Sequence, residues 1–159
     1  MITGKGEIRA VNILSNKTDI FSMQPNEEKQ SHATMADKIG RYIYEPNAAI
    51  IKAGAFRAMS ERYKIQKLDT HTHLYTSDDY MADFPGRVWQ VIDAEVKDPK
   101  KQLDTKAKYS ILSRNYPLSP EEIRKKYKLK DGDDRYLLAA RHQGKPRLIL
   151  AHRLTAETR

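Results

Sequence analysis

Lys108-Tyr109-Ser110-Ile111-Leu112-Ser113-Arg114 is followed, after Asn115-Tyr116-Pro117, by Leu118-Ser119-Pro120-Glu121-Glu122-Ile123-Arg124-Lys125-Lys126. The two runs need different backbones. The first is short, rich in apolar and β-forming residues and bounded by Pro117, so it predicts a strand. The second is a helix start: Ser119 suits the N-cap, Pro120 the first helical position and Glu122 the third position of a capping box. Leu118 and Ile123 fit the hydrophobic staple around it. Downstream, Tyr136–Ala140 and Arg147–Ala151 predict a hairpin across His142-Gln143-Gly144-Lys145, with Gly144 as the left-handed turn residue. Upstream, Arg87–Val96 reads as a strand, and Asp98-Pro99 caps a short basic helix to about Thr105.

The first half mixes elements in the same way. Glu7–Asn16 and Thr18–Met23 read as strands, Gln24–Ala33 as a polar loop, and Arg41–Tyr44 as a strand. Glu45-Pro46-Asn47 then opens a helix with Pro at its first position and Ile51, Ala55 and Met59 as its buried stripe. Lys67–Ser77 reads as one further strand. Strands and helices alternate without a repeat, which is an α+β pattern. The expected architecture is two small domains, residues 1–83 and 84–159, with the junction near Asp83–Gly86.

The 159 residues are too few for a (β/α)8 barrel, which takes about 250. At 39% hydrophobic content the chain can bury a core, though two separate domains would each have a thin one. The absence of Cys excludes disulfides, thiolate zinc or iron–sulfur ligation and a cysteine nucleophile. No apolar run approaches the ~20 residues that cross a bilayer, and no secretory signal opens the chain. A cytoplasmic location without membrane attachment is expected.

Charge is unevenly placed. Residues 1–83 hold 11 Lys+Arg and 11 Asp+Glu; residues 84–159 hold the other 18 and 10, so the whole net charge of +8 belongs to the second half. A basic half of this kind suits a polyanion, because Lys and Arg neutralise phosphates and release counterions. Its sharpest concentration is Arg124, Lys125, Lys126, Lys128 and Lys130, on one helix and its exit. Arg114 ends the preceding strand, and Arg141, Lys145 and Arg147 surround the hairpin turn. These nine residues are the candidate nucleic-acid contacts, since guanidinium forks and ammonium groups pair with phosphate oxygens.

Catalytic motifs are sparse. In Asp69-Thr70-His71-Thr72-His73, a strand would put both imidazoles on one face, where they could share a metal. The pattern is similar to a metal-binding strand of amidohydrolase-type enzymes, but their further ligands and barrel are missing. The seven glycines give neither Gly-x-Gly-x-x-Gly nor a Walker A loop, and there is no Gly-x-Ser-x-Gly elbow. The adjacent carboxylates Asp78-Asp79, Glu121-Glu122 and Asp133-Asp134 fit capping and turn roles. No catalytic residues and no metal site are assigned.

Three further stretches carry a resemblance: Tyr44-Glu45-Pro46-Asn47-Ala48-Ala49-Ile50-Ile51-Lys52-Ala53-Gly54, His73-Leu74-Tyr75-Thr76-Ser77 and Phe84-Pro85-Gly86-Arg87-Val88. With Arg114-Asn115-Tyr116-Pro117-Leu118-Ser119, Ile123-Arg124-Lys125-Lys126 and Lys128-Leu129-Lys130-Asp131-Gly132, they resemble the region after the catalytic domain in a family of bacterial class I SAM-dependent methyltransferases. The resemblance covers about Gly4 to Leu154. It implies a ferredoxin-like α/β sandwich followed by a THUMP-like α+β domain, the latter a kind associated with presenting RNA to modifying enzymes. It also implies that SAM is bound outside this chain, since neither a Gly-rich SAM loop nor an Asn/Asp-Pro-Pro-aromatic motif occurs here.

The expected function follows from charge and resemblance together. The chain is the non-catalytic C-terminal portion of a SAM-dependent RNA methyltransferase, inactive alone, holding structured RNA (tRNA or rRNA) for a methyltransferase domain in cis. The alternative is a protein-interaction module that packs on the methyltransferase core or forms a homodimer.

Overall fold

The computed structural model of the protein describes residues 6–155. The helix-start signal is realised in full. The Glu122 N–H donates to Ser119 Oγ at 3.2 Å, and the Ser119 N–H donates to Glu122 Oε1 at 3.4 Å. The resulting helix, α5 (Pro120–Tyr127), buries Ile123 and ends at Lys128 in the left-handed conformation, φ 53°. It follows β7 (Lys108–Arg114), which has the expected bounds. The hairpin is longer than its apolar centre suggested. Its strands are β9 (Arg135–His142) and β10 (Lys145–Leu154). Gln143 and Gly144 turn the chain at φ 51° and 73°, the pair of left-handed residues that a two-residue hairpin needs.

The first half begins with a separate antiparallel ribbon, β1 (Ile8–Ile13) and β2 (Thr18–Met23). The expected loop after it holds one short helix, α1 (Glu27–Gln30). Three local expectations are corrected. Pro46 ends β3 (Tyr42–Pro46) instead of opening a helix; Asn47 is the N-cap, its side chain accepting from the Ile50 N–H at 3.1 Å. The single helix expected through Met59 is broken at Gly54, φ 68°, into α2 (Ala48–Ala53) and α3 (Phe56–Tyr63). Glycine takes that conformation without a Cβ penalty, so a propensity pattern that reads through it fails. The strand expected over Lys67–Ser77 is two strands, β4 (Gln66–Asp69) and β5 (Thr72–Ser77), folded back at Thr70-His71.

β6 (Gly86–Asp93), α4 (Pro99–Gln102) and the short β8 (Lys130–Asp131) complete the described elements. Eight strands form one sheet in the order β4-β5-β3-β6-β10-β9-β7-β8, antiparallel except for β7, which runs parallel to β9 and β8. The expected junction after Asp83 falls between β5 and β6, and the sheet crosses it unbroken, with Glu45 paired to Arg87 and Pro46 to Gly86. Gly86 allows this approach: a Cβ there would lie 2.0 Å from the Glu45 carbonyl oxygen. At the far side the sheet curls back on itself. The Gly144 N–H donates to Asp69 Oδ2 at 2.8 Å, and the Thr72 hydroxyl to the Arg141 carbonyl at 3.1 Å.

Both faces are covered, so consecutive strand residues are buried on opposite sides. Tyr44, Tyr75 and Val88 face a core closed by α2, α3 and the β1–β2 ribbon. Leu137, Ala139, Leu148 and Leu150 face a core shared with Ile123 and Leu103. Between them, Ile43, Leu68, Leu74, Trp89, Leu138, Ala140, Ile149 and Ala151 fill the inside of the curl. That third cluster draws residues from both sides of the junction. Burying apolar area at about 25 cal/mol per Å² is what binds the two halves into one body.

Candidate nucleic-acid interface

The nine candidate residues fall into two groups. At the α5 end, Lys125, Lys126, Lys128 and Lys130 are exposed and pair with no carboxylate among the described residues. Lys125 and Lys126 leave the helix in its last turn, where cations also favour the dipole, Lys128 caps it, and Lys130 opens β8. Lys126 Nζ lies 5.4 Å from the centroid of the Tyr127 ring. Lys130 is the register neighbour of Lys108 across the parallel β7–β8 pair, which adds Lys108 to the group. Arg124 differs. It is half-buried, donates to the Tyr109 carbonyl at 3.1 Å and lies 3.2 Å from Asp131. It is used largely to fix α5 against β7.

The second group is at the other end of β7. The β7–β9 register runs from Tyr109↔Arg135 to Arg114↔Ala140, so Arg114 lies about 20 Å along the strand from Lys108 at ~3.3 Å per residue. Arg114, Arg141, Lys145 and Arg147 gather here around the β9–β10 turn. Lys145 is exposed. Arg141 donates to the Gly144 carbonyl at 3.0 Å, and Arg147 is ion-paired with Glu95. Arg114 reaches across to the first half, its Nε donating to Glu45 Oε2 at 2.8 Å. Glu45 is only 6% exposed and takes a second guanidinium, that of Arg87, on its other oxygen. Sequence reasoning missed this clasp, because nothing local links Glu45 to residues 42 and 69 positions away.

The histidine pair does not form. His71 is exposed in the turn before β5, while His73 is inside the strand, stacked on Phe56 with centroids 3.8 Å apart. Among the described residues no three His, Cys, Asp or Glu side chains are grouped to hold a metal ion. Burial, then the Lys67 ammonium and His71, push the His73 imidazole below its usual 6.5. The fold thus favours neutral His73, whereas the unfolded chain protonates it freely. Stability should therefore fall as pH drops below 6.5, until the lowered folded value is passed. Denaturant titrations from about pH 7.5 to 5 should show this loss in the wild type and less of it in His73→Phe. Equal pH dependence of the two would contradict it.

Lys67 lies beneath the same stack. It is 5% exposed, its Nζ donates to the Thr70 carbonyl at 2.5 Å, and burial lowers its pKa. A groove of about 530 Å³ runs past it, lined by His32, Met35, Phe56, Arg57 and Thr70 among others. Glu28 closes the groove, accepting from the Arg57 and Ala58 N–H groups at 2.7 and 2.8 Å. Those donors open α3, so the anion site a helix start offers is filled by the chain's own carboxylate.

Two family models match successive parts of the chain. Residues 42–85 match the model of a ferredoxin-like domain, and residues 86–153 that of a domain described as THUMP domain-like. The fold is similar to the crystal structure of a "putative methyltransferase" from Porphyromonas gingivalis W83, with a TM-score of 0.85 and 35% sequence identity. That similarity covers 96% of this chain and 39% of the Porphyromonas protein, so this chain spans well under half of its relative. No curated protein matches. The two model limits meet at 85/86, where β6 begins beside β3, and the chain is a ferredoxin-like domain continued by a THUMP-like domain in one shared sheet.

Proposed function

We propose that this chain is the RNA-holding, non-catalytic portion of a SAM-dependent RNA methyltransferase. The observation that carries the reading is where the charge lies: the entire net charge of +8 belongs to the half that matches the THUMP-like model, and the α5 lysines present it to solvent. Similarity to the Porphyromonas gingivalis protein supports a methyltransferase context. Structured RNA, tRNA or rRNA, would be held through its phosphates, which fix position without reading sequence, and chosen by shape and 2′-hydroxyl contacts. SAM would be bound by a methyltransferase domain in cis, in the cytoplasm. The glycines of this chain offer no loop of the spacing that cradles a nucleotide.

Replacing Lys125, Lys126 and Lys128 together by Gln tests the α5 end. The fold should be unaffected, since these side chains are exposed and unpaired with carboxylates among the described residues. RNA affinity should fall, and the slope of log K against log salt should shrink by about 2–3 units. An unchanged slope would remove α5 from the interface.

One observation favours the second reading, an interaction module on the methyltransferase core or in a homodimer. The outer face of the β1–β2 ribbon exposes Val11, Ile13 and Ile20, with Leu14 beside them, and Ile13 is 78% exposed. Neighbouring apolar side chains on one face of a free two-stranded ribbon mark a contact surface. Sedimentation of wild type and Ile13→Asp/Ile20→Asp decides between its two forms. Self-association abolished by the substitutions would establish a dimer; a monomeric wild type would leave the ribbon to the methyltransferase core.

A further inference from the structure

Arg114 is not an isolated end-of-strand cation. It belongs to a cluster that the sequence does not show, built where the two halves share the sheet. Glu45, from β3, accepts from Arg87 of β6 on one carboxylate oxygen and from Arg114 of β7 on the other. The carboxylate is buried, whereas the two arginine side chains are 35% and 40% exposed. Arg87 also lies over the indole of Trp89, its Cζ 5.1 Å from the ring centroid. Arg153 of β10, the register partner of Trp89, lies 5.6 Å from the same ring. Tyr136 closes the group edge-on, 5.7 Å from Trp89.

The arrangement has three properties of an oxyanion receptor. Two guanidinium charges face one carboxylate, so the trio keeps a positive charge. Each of the two arginines gives Glu45 only part of its donor set, and a guanidinium carries five N–H donors in a fixed fork. Strands, a buried carboxylate and a buried indole hold the forks in place, so little side-chain entropy is lost when an anion binds. The α5 lysines lack this order; they are exposed, and Asp131, Asp133 and Asp134 follow them in the next turn.

We infer that Arg87 and Arg114, oriented by Glu45 and assisted by Arg153, form an anion site that takes an RNA phosphate at the seam between the ferredoxin-like and THUMP-like parts. This deepens the RNA reading above and rests on it. The seam gives the RNA a fixed anchor and the α5 lysines add diffuse attraction about the second domain. A phosphate gripped there is held by arginines of the THUMP-like part whose forks are oriented by Glu45 of the ferredoxin-like part, so the orientation of the RNA depends on both.

The test uses folded tRNA as probe and fluorescence anisotropy across a salt series, with thermal unfolding of each variant. Glu45→Gln/Arg87→Gln/Arg114→Gln keeps polar partners at the clasp and leaves no buried carboxylate unpaired. It removes one net positive charge, and so does the control Lys52→Gln on the exposed side of α2. The triple variant should bind tRNA at least tenfold more weakly than the control and lose about 1 unit of salt slope, the loss of one phosphate contact. Should the triple variant not fold, Arg87→Lys/Arg114→Lys keeps the charge and the clasp while losing the forks, and at least a fivefold loss is expected. Binding equal to the control, or to wild type for the lysine variant, overturns the seam site and leaves Glu45 a purely structural clasp. Failure of wild-type protein to bind tRNA at all overturns the RNA reading on which the site rests.

Discussion

Trp89→Ala should lower the unfolding free energy by about 3–5 kcal/mol, enough to unfold a domain of ordinary stability or bring it to the edge. Trp89 is fully buried, the largest side chain that is, and it occupies the inside of the curled sheet. Around it lie Ile43 and Leu74 from the ferredoxin-like part and Leu138, Ile149 and Ala151 from the THUMP-like part. Removing the indole leaves a void lined from both sides, and β strands locked in a shared ladder cannot collapse to fill it. Arg87 and Arg153 would also lose the ring on which they rest. Because Trp89 is the one tryptophan of the chain, its own fluorescence follows unfolding in the wild type, and circular dichroism follows the variant. A change below about 1 kcal/mol would mean that this cluster is not the joining core.

Separating the chain between Asp83 and Phe84 should abolish folding of both pieces. The cut falls in a connection and removes no strand, yet it opens the β3–β6 ladder from Tyr42↔Gln90 to Pro46↔Gly86. The first piece would keep β3, β4 and β5 with one face stripped; the second would expose β6 as a new apolar edge. The Glu45 clasp to Arg87 and Arg114 would be severed as well. The intact chain should unfold in one cooperative transition, and the separated pieces should show none until mixed. A cooperative transition in either piece alone would show that the two parts are independent bodies that merely touch.

Local features were legible in the sequence where chemistry is local. The capping box of Ser119 and Glu122, the β7 bounds and the left-handed Gly144 each depend on residues within a few positions of one another. Errors arose where a short exception overrides a pattern. Gly54 interrupts an apolar stripe that would otherwise make one helix, and Thr70-His71 folds back a run that alternates like a single strand. What could not be read was long-range. The parallel β7–β9 pairing and the passage of the sheet across residue 83 join residues distant in the chain. The basic residues show the same limit. Composition found the lysines of α5, whereas proximity in sequence grouped with them Arg114, Arg141, Lys145 and Arg147, which the fold carries to the far end of β7. The partners that give Arg114 its setting, Glu45 and Arg87, come from the neutral half and from the first strand of the basic half.

The most direct test of the central claim is anisotropy binding of this chain to folded tRNA, an rRNA fragment and duplex DNA, each from about 50 to 200 mM salt. One of the structured RNAs should bind more tightly than DNA and stay bound at the upper salt, because ordered contacts add to the counterion term. Equally weak binding to all three, lost together as salt rises, would contradict it and leave the basic half a solvated surface.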